Sequence, residues 1–265
     1  MTLHPVSISL SSYGADLVRE RGQAWFIDVL AKAGVSYIEL REELGLPDDM
    51  AGLGAAIQHR RLRCVYSSPM QLWDGDGVLQ ASLLLAALIN ADTCGARWLK
   101  VSLGHYPADA DLAPLRALLI NQPVRVLVEN DQTLQGGRID SLAAFFSAAQ
   151  ASDVAVGMTF DIGNWQWQGQ SLNDALKRLS PYVEYVHCKA VQLDTAGKLV
   201  ATPPNVRDLH LWEQILQHFS PGIVRAIEFP LQGDDLRQIT QAQVATLARL
   251  GQPSTANHEE VNSHV

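Results

Sequence analysis

The chain has 265 residues, 47% hydrophobic and 18% charged, with a formal net charge of −8, a composition and length that suit one large globular domain needing no disulfide staples. The acidic balance argues against a protein held to nucleic acid by charge alone. Cys64, Cys94 and Cys188 are too few and too widely spaced for a disulfide framework or a Cys-x-x-Cys metal site.

Apolar runs rich in Val and Ile alternate with longer amphipathic segments. VSISLS (6–11) reads as a first strand, followed by a helical pattern over 22–33. SYIEL (36–40) is a second strand with a helix over 48–60, and LRCVYS (62–67) a third with a helix over 75–94. RWLKVSL (97–103) precedes a helix over 109–121, and RVLVE (125–129) one over 140–151. AVGMTFD (155–161), VEYVHCK (183–189) and VRAIEF (224–229) follow, with helices over 171–179, 208–218 and 234–250. Asp140 or Ser141, Ser171 and Asp208 are placed as helix N-caps, and Gly34 and Gly95 as C-caps. Strand-then-helix alternation predicts a parallel sheet, and eight such units close most naturally into a single (β/α)8 TIM barrel over residues 1–250. The competing doubly wound sheet lacks its GxGxxG turn. Residues 251–265 are polar and aperiodic and read as a flexible tail. The N-terminus does not read as a signal peptide, and no apolar stretch, ASLLLAALINA included, is long enough to span a bilayer. A cytoplasmic protein with buried thiols and no membrane partner is expected.

Function in such a barrel belongs at the C-terminal ends of the strands. Four consecutive runs end in an ionisable residue: Glu129, Asp161, His187 and Glu228. Taken singly, a strand-end carboxylate is more often a solvated residue or a helix cap, and a lone histidine more often a core residue. Together, three carboxylates near one point repel unless a cation or proton neutralises them. Three oxygen ligands and one imidazole suit Mn²⁺ or Mg²⁺, with Zn²⁺ or Co²⁺ as alternatives. Weaker candidates surround them. Lys189 lies two residues beyond His187 and so on the same strand face, where it would orient substrate or offset carboxylate charge. Glu39 and Arg41 share a face at the end of the second strand. Lys100, unusual inside a strand, is expected to reach the barrel mouth, and His105 follows it in the next loop. Trp165 and Trp167 offer aromatic faces to a sugar or pack against a helix. Trp25, Trp73, Trp98 and Trp212 read as core or interface.

The segments EN (129–130), FDIGN (160–164), VHCK (186–189) and IEF (227–229) resemble those of the xylose isomerase-like TIM barrels, the sugar phosphate isomerase/epimerase superfamily, over about residues 6–250. The resemblance implies one divalent metal ion held by Glu129, Asp161, His187 and Glu228, with the two glutamates also acting as acid and base. It implies a metal-dependent isomerase or epimerase that moves a proton next to the carbonyl of a sugar or sugar phosphate, and a homo-oligomer. Asn164 stands where the ketose 3-epimerases carry a substrate-contacting histidine, and Ala190 where the family carries an aspartate. TAGKLVATPPNVRD replaces the family's glycine-rich segment. The alternatives are a keto-polyol dehydratase of the inosose type, an abasic-site DNA endonuclease, or a non-catalytic sugar-binding barrel. The endonuclease requires extra histidine ligands, whereas the third strand here ends in Ser67-Ser68-Pro69 and Asn164 takes another ligand's place. Asp208-Leu209-His210 is better read as a helix start. No nucleic-acid partner is expected.

Overall fold

A computed structural model describes residues 3–252. The strands are β1 (Val6–Ser9), β2 (Tyr37–Arg41), β3 (Arg63–Trp73), β4 (Ala96–Gly104), β5 (Arg125–Glu129), β6 (Val156–Asp161), β7 (Val183–Cys188), β8 (Ala190–Leu193), β9 (Leu199–Thr202) and β10 (Val224–Ile227). Eight of them close into a barrel in the order β1-β10-β7-β6-β5-β4-β3-β2, every pair parallel. The helices are α1 (Ala15–Arg21), α2 (Phe26–Lys32), α3 (Met50–His59), α4 (Ala81–Thr93), α5 (Ala113–Leu119), α6 (Ile139–Ala151), α7 (Leu172–Leu179), α8 (Val206–Leu216) and α9 (Leu236–Arg249). This is the (β/α)8 barrel expected from the alternation. Among the described residues, no helix is long and apolar enough to cross a membrane.

Several boundaries differ from the sequence reading for local reasons. Gly22, at φ +75°, ends α1, so the pattern over 22–33 becomes a turn of 3₁₀ helix followed by α2. The pattern over 75–94 starts only at Ala81, because Asp74 Oδ1 accepts the backbone N–H groups of Asp76 and Val78 and holds a turn there. The third strand runs on to Trp73, with its register shifted between Ser67 and Gln71, where Pro69 has no N–H to offer. Asn205, not Asp208, caps α8; Asp208 completes a capping box as the third helical residue. Asp140 and Ser141 do not cap α6, which begins without a side-chain cap; Asp140 pairs with Arg178 instead. Ser171 caps α7 as expected, and all three cysteines are free and buried. The segment TAGKLVATPPNVRD supplies the turn and second strand of an antiparallel hairpin, β8–β9, and then the cap and first turn of α8. Of the predicted tail, residues 253–265 lie outside the described residues.

The barrel interior explains where the site sits. Successive side chains in a strand alternate between faces, so residues two apart share one. Tyr37, Val65, Trp98, Leu127, Tyr185 and Ala226 form an apolar layer inside the lower barrel. Tyr37 and Trp98 stack at 5.4 Å, and Trp98 meets Tyr185 at the same separation. Two residues further along the same strands stand Glu39, Ser67, Lys100, Glu129, His187 and Glu228. A single step of the pleat therefore changes a dry plug into a polar floor, and Ser9 and Asp161 complete it from β1 and β6.

Candidate metal centre

Glu129 and Asp161 are the last residues of their strands, His187 is the last but one of β7, and Glu228 follows β10 directly. Neighbouring strands bring them together: Asp161 pairs in register with His187, and His187 with Ala226. One ligand atom from each of the four residues lies within 4.8 Å of the others, and three of the four residues are buried. His187 Nδ1 is the hub. It lies 2.9 Å from Glu129 Oε1, 2.9 Å from Glu228 Oε2 and 3.9 Å from Asp161 Oδ2. Glu129 Oε1 and Asp161 Oδ2 are buried and accept no well-directed hydrogen bond, facing only the His187 and Lys189 nitrogens at 2.9 and 2.7 Å. Buried carboxylate oxygens are rarely left so, and a divalent ion among these four atoms would satisfy both. The residues present fit such an ion.

The second layer orients the first. Asp161 Oδ1 accepts the backbone N–H groups of Gly163 (2.8 Å) and Asn164 (3.0 Å), which turns Oδ2 toward the centre. Asn130 braces the same strand end, accepting the Asp161 N–H and donating to its carbonyl. Lys100 Nζ bonds Glu129 Oε2, leaving Oε1 for the centre. Arg41 donates to Glu228 Oε1 at 3.0 Å, leaving Oε2 beside His187 and Lys189. Glu39 Oε2 lies 2.7 Å from His187 Nε2 and also accepts from the Tyr185 hydroxyl at 2.7 Å. A carboxylate only accepts here, so Nε2 carries the proton and Nδ1 is the nitrogen left to ligate. We expect Glu39→Gln, which weakens that anchor, to lower Mn²⁺ affinity about 10–100-fold by calorimetric titration; unchanged affinity would remove Glu39 from the ligand support.

Burial opposes every charge here, but close partners decide most of them. Burial would raise the Glu39 carboxyl; His187, Lys100 and Arg41 outweigh it and hold it at about 2. Glu129 and Glu228 are held low against burial in the same way, Glu129 chiefly by Lys100 and His187, Glu228 by His187 and Lys189. Burial would lower His187, yet Glu228, Glu39 and Glu129 raise it well above its ordinary value. Asp161 goes the other way: burial, with Glu228 and Glu129 repelling its charge, lifts it to about 7 despite Lys189. Below that pH the metal-free site thus carries protons on His187 Nδ1 and Asp161 that an incoming ion must displace. Mn²⁺ affinity should therefore rise with pH through about 7, the value to which Asp161 is lifted. Calorimetry in buffers of different ionisation heat should register proton release, and affinity independent of pH would contradict this protonation pattern.

The other predicted residues divide. Lys100 and Lys189 reach the centre, Lys189 Nζ lying 2.7 Å from Asp161 Oδ2 and 2.8 Å from Glu228 Oε2. Glu39 and Arg41 also reach it, but their polar atoms are engaged with His187, Glu228 and each other, so they position ligands rather than wait for substrate. Asn164 is turned away: its amide donates to the Asn130 carbonyl and accepts from Gln132. Trp165 is 1% exposed and packed against Phe160, with no face open to a sugar. His105 is exposed beyond β4 with no side-chain link to the cluster. Sequence reasoning passed over Asn130 and Tyr185 as site residues, although Tyr185 stands two residues before His187 on its strand face.

A cavity of about 410 Å³ opens beside Glu228 and Lys189, bounded by Ser11, Gln132, Trp167 and the β9 residues Leu199–Ala201. Of the two tryptophans offered by the sequence as sugar-facing, Trp167 borders this cavity and Trp165 does not. A larger hollow of about 860 Å³ lies outside the barrel between α2 and α3, away from the carboxylates.

No family model and no curated protein matches the chain. Solved structures do. A xylose isomerase domain containing protein from Salmonella typhimurium LT2 superposes with TM-score 0.71 at 13% identity, over 95% of this chain and 99% of that one. D-psicose 3-epimerase from Clostridium cellulolyticum H10, solved with D-tagatose, gives 0.68 at 12% identity, over 95% and 99%. The probable 3-DHS dehydratase AsbF from Bacillus anthracis gives 0.63 at 12% identity, over 92% and 98%. The chain has the fold of the xylose isomerase-like TIM barrels.

Proposed function

We propose that the protein is a divalent-metal-dependent isomerase or epimerase of a sugar or sugar phosphate, working by proton transfer at a carbon next to a carbonyl. The observation that carries this reading is the pair of glutamates, each anchored by a cation through one oxygen, with the other oxygen facing the shared centre. Glu129, Asp161, His187 Nδ1 and Glu228 would hold the ion, Mn²⁺ or Mg²⁺ by their hardness, with Zn²⁺ or Co²⁺ as alternatives. A bound divalent ion supplies Lewis-acid polarisation of a carbonyl and its neighbouring hydroxyl.

The chain's own residues do the rest. Lys100 and His187 keep Glu129 ionised, His187 and Lys189 keep Glu228 ionised, and Lys100 and Arg41 fix the two side chains in place. One glutamate takes the proton from the carbon, and the other returns one. Delivery to the opposite face of the same carbon epimerises it; delivery to the neighbouring carbon interconverts aldose and ketose. The aromatic plug beneath the floor keeps water from entering behind the substrate. The likeness to 3-epimerases and to a dehydratase fits the same first step, since proton removal followed by loss of a hydroxyl is dehydration.

Product analysis by NMR separates these outcomes. The Mn²⁺-loaded protein should convert at least one member of a panel of ketoses, ketose phosphates and inososes to an isomer of equal mass. A product lighter by one water would make it a dehydratase. Incision of abasic DNA, with no turnover of the panel, would overturn the reading.

A further inference from the structure

The β8–β9 hairpin forms one wall of the cavity beside Glu228, and it carries a cation at that wall. Asp194 Oδ1 accepts the backbone N–H groups of Ala196 and Lys198, and the Lys198 carbonyl accepts the Asp194 N–H at 2.8 Å. The turn is closed by its own backbone, so the Lys198 stem leaves from a fixed point at the start of β9. Lys198 lines the cavity together with Lys189, Glu228, Ser11, Gln132 and Trp167. Lys189 is tied to Asp161 and Glu228. Lys198 makes no side-chain hydrogen bond and no ion pair with any described residue. It is therefore an exposed cation at the cavity wall with no partner among the described residues.

The charge of the centre points the same way. Five carboxylates, Glu39, Glu43, Glu129, Asp161 and Glu228, face three fixed cations, Arg41, Lys100 and Lys189. With His187 neutral, a bound divalent ion would offset that excess of two negative charges, so an anion entering the cavity meets no net repulsion. Much of the remaining wall is apolar, from Leu199, Val200, Ala201, Phe229 and Pro230. It suits a short carbon chain lying between the reacting end and a charged end.

We propose that the cavity takes a keto sugar with an anionic terminal group, a phosphate or a carboxylate, and that Lys198 is the residue that selects for that group. This rests on the isomerase reading for the position of the reacting carbon at Glu228; the anion then lies toward the hairpin wall. An ammonium at a cavity rim gives a point charge and up to three donors, which either anion can take.

The test uses the Mn²⁺-loaded full chain and three probes: D-fructose, D-fructose 6-phosphate and D-fructuronate. By calorimetry, one or both anionic probes should bind about tenfold more tightly than fructose, the scale of a hydrogen bond to a charged group. Comparison of the two anions shows whether phosphate or carboxylate is preferred. Lys198→Met should erase the preference. Equal binding of neutral and anionic probes, binding of none of them, or a preference that survives Lys198→Met would overturn the proposal. Proton exchange of the bound probes with D₂O is read separately: anion-selective binding without exchange sinks the isomerase reading and leaves the anion site standing, and exchange without anion selectivity does the reverse.

Discussion

Glu129→Gln and Glu228→Gln should each lower turnover of a keto sugar by about 10²–10⁴-fold, the span usually lost with a general acid or base, while Mn²⁺ still binds. The expectation follows from how the two side chains are held. Lys100 takes Glu129 by Oε2, and Arg41 takes Glu228 by Oε1, so one oxygen of each is directed to the centre. Gln keeps the length of the side chain and one ligating oxygen but cannot accept the proton. Strands β5 and β10 are separated by β6 and β7 around the barrel, so the two carboxylates approach the centre from different sides. Each can then address one face of the reacting carbon, as a two-base epimerisation requires. Both glutamates are held low and are weak bases, but polarisation of the substrate carbonyl acidifies the proton to be removed, so the mismatch narrows from the substrate side. The control is His187→Ala, whose loss should be relieved in part at high Mn²⁺, because it removes a ligand rather than a base. If both metal-loaded Gln variants retain parental turnover, the glutamates only hold the ion, and Lys189 becomes the next base to test.

Lys100→Met should destabilise the fold by about 3–5 kcal/mol, the usual cost of leaving a buried charge without its partner. Lys100 is 3% exposed. Its ammonium bonds Glu129 and stands 3.7 Å from Glu39 Oε1. Burial would lower it, but the two carboxylates raise it above its ordinary value, so it is a cation throughout the neutral range. Met fills a similar volume, so the loss reads the charge and not a cavity. Two carboxylates then face each other across the floor with Arg41 and His187 alone to offset them. Denaturant unfolding measures the change. Adding Glu129→Gln to Lys100→Met should recover part of it, since the second substitution removes one of the stranded charges. An equal cost for Lys100→Met with and without Glu129→Gln would contradict the coupling, and a cost under about 1 kcal/mol would place the lysine among ordinary surface pairs.

Most barrel strands were legible because their apolar residues, Val and Ile prominent, are buried on both faces, and the four candidate ligands because each stands at or just beyond the end of such a run. Lys100 could be placed for the same reason, a charge in a strand needing an outlet at the mouth. Other roles depend on contacts that a linear pattern does not carry. Glu39 meets His187 only because closure of the barrel sets β2 across from β7. Trp165 and Trp167 look alike in sequence; the single 3₁₀ turn over Asn164–Gln166 sends the first into the core and the second to the cavity. Asn164 was given a substrate by its place after the aspartate, yet the backbone of Asn130 and the amide of Gln132 take up its side chain. The β8–β9 hairpin escaped notice because its strands are short and half exposed, lacking the apolar run that marks the barrel strands.

Metal-dependent proton exchange tests the central claim most directly. The protein is stripped with a chelator and dialysed, then incubated in D₂O with each keto sugar of the panel, before and after Mn²⁺ is restored. The account predicts deuterium at the carbon next to the carbonyl only when Mn²⁺ is present. Wild-type exchange should fall in Glu129→Gln and Glu228→Gln. Exchange that continues unchanged in the stripped protein, or no exchange of any panel member with the metal bound at these four residues, would contradict it.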